Sequence, residues 1–175
     1  MNLPNKITMF RVLMIPVFLV FCYLPISGSR YIALVCFILA SISDFLDGKI
    51  ARERNLVTDF GKFMDPLADK CLVTAAMLMF VEWGQMPAWV LAVVIAREFA
   101  VSGLRMMAAA GGKVIAAAWS GKVKTASTMV CIILMFLPIP SVLNTVCWLV
   151  ILITTIWSGA EYFVKNRNII DWSDL

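Results

Sequence analysis

Apolar residues run along this chain in long unbroken stretches, neither alternating as in a half-buried strand nor confined to one helical stripe. A bilayer-crossing helix needs about 20 mainly apolar residues, and six stretches approach that length, at roughly 9–26, 31–53, 60–82, 87–109, 123–138 and 141–163. Breakers separate them: Pro25-Ile-Ser-Gly28-Ser29, Arg54-Asn55, Trp83-Gly84-Gln85-Met86-Pro87, Gly111-Gly112 and Pro138-Ile-Pro140. The pattern predicts an all-α integral membrane protein with six transmembrane helices in a single domain over 1–175. The fifth stretch is short for a crossing. Ahead of the first span, Asn2-Leu3-Pro4-Asn5-Lys6-Ile7-Thr8 is expected as a short N-terminal interfacial segment.

Composition agrees with this picture. Hydrophobic residues make up 62% of the 175, against roughly 45–50% in soluble domains. Only 15% are charged, so each charge in an apolar stretch invites a functional explanation. Histidine is absent, which removes the commonest general base and leaves acid–base work to carboxylates or lysines. The five cysteines stand singly in apolar stretches, without the spacing of a disulfide framework or a zinc site. Lysine and arginine cluster on one side of the predicted map. Lys6, Arg11, Lys49, Arg52, Arg54, Lys62, Lys113, Lys122, Lys124, Lys165 and Arg167 fall on one face and only Arg30 on the other. The expected orientation therefore has both termini in the cytoplasm, in a multi-pass protein of the plasma or inner membrane. The net charge of +4 suits contact with anionic membrane lipids, and no nucleic-acid partner is expected.

The acidic residues carry the chemistry. Asp44, Asp47, Gly48 and Ala51 fall at helical positions 0, +3, +4 and +7, one stripe near the cytoplasmic end of the second span. Gly61, Asp65 and Asp69 repeat every four residues on the third. Four carboxylates on two adjacent helices would repel one another at that depth unless cations cancel their charge. As hard oxygen ligands they suit two divalent cations, Mg2+ or Mn2+, and such a pair polarises phosphoryl oxygens. The plainer alternative is a set of interfacial salt bridges to Lys49, Arg52, Lys62 and Lys70. Gly48, Ala51 and Gly61 leave room for a ligand, or for close helix packing. Pro66 withdraws a backbone donor from the carbonyl of Lys62.

The full pattern, Asp44-x2-Asp47-Gly48-x2-Ala51-Arg52-x8-Gly61-x3-Asp65-x3-Asp69, resembles the signature of the CDP-alcohol phosphatidyltransferases at every specified position. The resemblance implies the six-helix CDP-alcohol phosphotransferase fold, a homodimer and a polar cavity open to the cytoplasm. It implies that Asp44, Asp47 and Asp65 are metal ligands, that Asp69 is both ligand and general base, and that Gly48, Ala51, Arg52 and Gly61 line a CDP pocket. Asn5 and Thr8 are further candidates for the nucleotide, with helix capping as the alternative. Flanking segments resemble the phosphatidylglycerophosphate synthase branch: Asn2-Leu-Pro-Asn5-x2-Thr8-x2-Arg11, Thr58-Asp59-Phe60-Gly61-Lys62, Arg97-Glu98-x4-Gly103-Leu104-Arg105 and Gly121-Lys122-x-Lys124-Thr125. That branch joins CDP-diacylglycerol to sn-glycerol 3-phosphate and releases CMP.

Charge in the fourth and fifth stretches bears on the acceptor. Arg97 and Glu98 lie about ten residues into a span, and as helix neighbours they are not expected to satisfy each other. Asp44 lies eight residues before Arg52, Asp69 eight after Gly61 and Arg97 eight before Arg105, which places all three about 12 Å below the cytoplasmic face. Arg105, Lys122 and Lys124 are expected nearer the mouth. Together these four cations suit an acceptor that carries a phosphate; Lys122 and Lys124 also read as topology signals. Rival readings are a sister phosphatidyltransferase using inositol phosphate or another alcohol, a divalent-cation transporter, and a prenyl-diphosphate transferase.

Overall fold

The computed structural model describes residues 3–53, 59–112, 115–116 and 118–169, apart from the side chains of 3–6, 44–53, 59–60, 62–63 and 169. All its regular structure is helical: α1 (Leu3–Tyr23), α2 (Ser29–Glu53), α3 (Asp59–Glu82), α4 (Ala88–Ala110), α5 (Trp119–Phe136), α6 (Ser141–Lys165) and a final 3-10 turn, Arg167–Ile169. These six helices stand where the six apolar stretches are. Two boundaries differ. Residues 3–8 are not separate from the first span but form the opening turns of α1, where Pro4 is tolerated because first-turn amides have no helical partner. The fifth helix starts at Trp119 rather than near 123; Ser120-Gly121-Lys122 has no apolar signature, although Ser120 is buried within the fold.

The chain divides into two compact units, Met1–Glu82 and Trp83–Leu175. In the first, α1 packs on α2 and α3, and α2 also meets α3. Its core sets the Phe18 and Phe37 rings 6.3 Å apart, with Ala33, Ala40, Ala75 and Ala76 buried where the helices close on one another. The buried face of α1 changes character along its length: Phe18 is apolar, while Arg11 and Thr8 on the same face are fully buried polar residues. Arg11 is therefore an internal residue of this unit rather than a surface topology charge. Pro16 and Pro66 lie within continuous helices.

In the second unit α6 packs against both α4 and α5. One end is aromatic. Trp83 meets Phe136 edge to face at 5.8 Å, and Trp89 meets Trp148 at 6.2 Å. There Asn144 donates to the carbonyl of Gln85, tying α6 to the turn before α4, which Gly84 makes possible at a φ of 68°. The chain runs up, down and up, so the later part of α4, the start of α5 and the end of α6 gather at the other end, which is charged.

The outward surfaces are apolar. Leu13, Val17 and Val20 on α1, Val35 and Leu39 on α2, and Val142, Ile153, Ile156 and Val164 on α6 are all exposed, an arrangement that calls for a lipid solvent. Among the described residues, only α6 is long and apolar enough to cross a bilayer on that measure alone; Ile7–Tyr23 and Ser29–Ser43 are shorter apolar runs. In α4 and α5, charged residues (Arg97, Glu98 and Arg105; Lys122 and Lys124) interrupt the apolar run.

Candidate active site

In the first unit, α2 is continuous through the acidic motif, so Asp44, Asp47, Gly48 and Ala51 keep the one-stripe spacing of a regular helix. Their side chains, with those of Arg52 and Asn5, lie outside the described residues. On α3, Asp65 and Asp69 are half-buried one turn apart, and Gly61 is buried a turn before Asp65. Thr8, expected at a nucleotide, is almost completely buried and donates its hydroxyl to Asp65 Oδ1 at 2.6 Å. That bond orients the Asp65 carboxylate through one of its two oxygens.

The donor set fits divalent cations. Two carboxylates one turn apart on α3, one of them already oriented by a hydroxyl, and two more on a regular stretch of α2 are hard oxygen ligands of the kind Mg2+ and Mn2+ take. Among the described residues, no group of three or more potential ligands occurs; the side chains of Asp44 and Asp47 lie outside that set.

In the second unit, the candidate phosphate ligands are organised by two residues the sequence did not single out as ligands. Glu98 Oε1 accepts from Lys124 Nζ at 2.6 Å and from Arg97 Nη1 at 3.0 Å. The expectation that Arg97 and Glu98 would not pair is thus corrected. Neighbouring Cβ atoms diverge on a helix, yet both side chains are long enough to bend together, and Lys124 on α5 draws the carboxylate. Lys124 is buried and neutralised by Glu98, whereas Lys122 is exposed.

The second organiser is Tyr162, buried near the end of α6. The guanidiniums of Arg97 and Arg105 lie 5.7 and 5.6 Å from its ring centroid, within cation–π range. Its hydroxyl accepts from Arg105 Nη2 at 3.2 Å and from the backbone N–H of Ala118 at 3.1 Å. Arg97 Nε is buried and has no acceptor among the described residues. Small residues make the room: a Cβ on Gly121 would lie 3.4 Å from the Tyr162 ring, and one on Gly159 would lie 3.1 Å from Arg97 Cγ.

The sequence profile of CDP-alcohol phosphatidyltransferases matches residues 1–157, a span that includes both acidic helices and the Arg97–Glu98–Lys124 cluster. The chain belongs to the CDP-alcohol phosphatidyltransferase family. Three curated relatives carry the name CDP-diacylglycerol–glycerol-3-phosphate 3-phosphatidyltransferase. The Bacillus subtilis (strain 168) protein is 41% identical over 99% of both chains. Those of Escherichia coli (strain K12) and Shigella flexneri serotype 5b are each 39% identical over 95% of both chains. The protein is therefore an enzyme, a membrane-associated phosphatidyltransferase. Members of the family are generally dependent on divalent cations, in keeping with the aspartate donor set. Tyr162 escaped the sequence reading because a tyrosine near the end of an apolar helix is ordinary at a membrane interface, and its partners lie 44 and 57 residues away in the chain.

Proposed function

We propose that this enzyme transfers the phosphatidyl group of CDP-diacylglycerol to sn-glycerol 3-phosphate, yielding phosphatidylglycerophosphate and CMP, the step that leads towards phosphatidylglycerol and cardiolipin. The names of the full-length relatives support the substrates. The observation that carries the acceptor assignment is the gathering of Arg97 and Arg105 on Tyr162, a cationic site suited to an acceptor that brings its own phosphate.

In this reading Asp44, Asp47, Asp65 and Asp69 hold two divalent cations, Mg2+ or Mn2+. When bound, the cations neutralise charge on the pyrophosphate of the CDP-lipid. Gly48, Ala51, Arg52 and Gly61 shape the CDP pocket, with Asn5 at its edge, and Thr8 serves it indirectly by holding Asp65. Arg97 and Arg105, with Lys122, bind the acceptor phosphate; Lys124 acts through Glu98. Asp69 takes the proton from the acceptor hydroxyl, whose oxygen forms a bond to the lipid-linked phosphorus. The bond from that phosphorus to the CMP oxygen breaks, and CMP leaves with the electron pair. Positioning and charge neutralisation are what such a transfer chiefly requires, so no covalent intermediate is needed.

The same proposal makes both units parts of one catalytic domain over 1–175, since the family match runs through both. It has all six helices crossing the membrane, both termini cytoplasmic, and the enzyme working as a homodimer. The test is CMP release by purified enzyme with CDP-diacylglycerol and each acceptor in turn. Glycerol 3-phosphate should support turnover far better than serine, inositol phosphate or phosphatidylglycerol. Faster turnover with inositol phosphate would move the enzyme to the sister branch.

A further inference from the structure

The Tyr162 hydroxyl has one proton to give and two lone pairs to receive with. Both N–H groups that reach it, from Arg105 and Ala118, are donors, so its own proton has no acceptor among the described residues. The side chain is nevertheless buried, at 4% exposure, where polar hydrogens almost always find a partner. Two donors on one oxygen also polarise the O–H bond and strengthen it as a donor. Next to it stand two guanidinium ions, and Arg97 Nε is likewise buried without an acceptor among the described residues. An unsatisfied hydroxyl proton, an unsatisfied guanidinium N–H and net positive charge in one place call for an anion with several acceptor oxygens.

We propose that Tyr162 is a specificity-determining residue: it donates its hydroxyl proton to the phosphate of the acceptor while its ring and oxygen hold Arg97 and Arg105 for the same phosphate. The proposal rests on the reading of the acceptor as a phosphorylated alcohol and deepens it. Its independent support is steric. Gly159 stands where a Cβ would press on Arg97 Cγ at 3.1 Å, and Gly121 where one would just touch the Tyr162 ring at 3.4 Å, so α5 and α6 close on this pair through glycines.

Tyr162→Phe keeps the ring and removes only the hydroxyl. Loss of a hydrogen bond to a charged group corresponds to roughly a ten- to hundredfold effect, and KM for glycerol 3-phosphate should rise by that factor. KM for CDP-diacylglycerol should stay within about twofold. A second measurement does not depend on how much of the preparation is folded: the ratio of kcat/KM for glycerol 3-phosphate to that for glycerol. The wild-type enzyme should strongly prefer the phosphorylated acceptor, and Tyr162→Phe should lose at least tenfold of that preference. A wild-type enzyme indifferent to the acceptor's phosphate would overturn the acceptor assignment itself. A wild type that discriminates, with a Tyr162→Phe variant that discriminates equally well, would overturn the role of Tyr162 alone.

Discussion

The hydroxyl of Thr8, near the start of α1, donates to Asp65 Oδ1 on α3 across 57 residues of sequence, at 2.6 Å. A hydroxyl that fixes one oxygen of a ligating carboxylate orients the other, and losing such outer contacts commonly costs about 10- to 100-fold in metal affinity. Thr8→Val, which keeps the shape, should weaken Mn2+ binding by about that factor, measured by electron paramagnetic resonance titration of the protein without substrate. Thr8→Ser should bind nearly as well as wild type. Equal Mn2+ affinity in wild type and Thr8→Val would remove Thr8 from the site.

Asp69 lies one turn beyond Asp65 on α3, half-buried, and is the base proposed for the acceptor hydroxyl. Asp69→Asn removes proton-accepting capacity with almost no change in size. Turnover should fall by at least about a hundredfold, at the lower end of what a positioned general base contributes, while the variant still binds CDP-diacylglycerol and elutes as wild type in detergent. Near-normal CMP release would transfer the base role elsewhere.

What was legible in the chain, and what was not, follows from the range of the signals. Pro87, Pro138 and Pro140 punctuate the apolar runs, so α4 and α6 stand close to where hydropathy puts them. The aspartate stripes were legible because helical spacing alone sets them. The start of α5 was hidden, since Ser120 and Lys124 are polar residues buried within the fold, and burial of that kind leaves no apolar period. The Arg97–Glu98 pairing was misread for a related reason. The rule that adjacent helix residues point apart describes Cβ directions, and it took the third charge, Lys124, to bring the two side chains together. Thr8 and Tyr162 act on partners distant in sequence, and no local spacing announces such a contact.

Glu98 serves two cations with one oxygen. Glu98→Gln leaves a buried Lys124 ammonium against a neutral amide. Weakening hydrogen bonds to a charged group in this way should cost about 1.5–3 kcal/mol, seen as a Tm lowered by roughly 5 °C in detergent. In that background Lys124→Met should add less destabilisation than it causes alone, as contacting partners do in a double-mutant cycle. Additive effects would mean that the ion pair is not coupled.

Gly159 offers a variant in which stability and function separate. A Cβ there would stand 3.1 Å from Arg97 Cγ, so Gly159→Ala obliges the arginine to shift by a few tenths of an ångström. Alanine is also the better helix former, by about 1 kcal/mol in a helix interior, which offsets the crowding and should keep Tm within a few degrees of wild type. No similar compensation acts on the guanidinium, whose position depends at once on Glu98 and on the Tyr162 ring. KM for glycerol 3-phosphate should therefore rise severalfold while KM for CDP-diacylglycerol holds. If both constants rose together, the effect of Gly159 would lie in the packing of α4 on α6 rather than in the placement of Arg97.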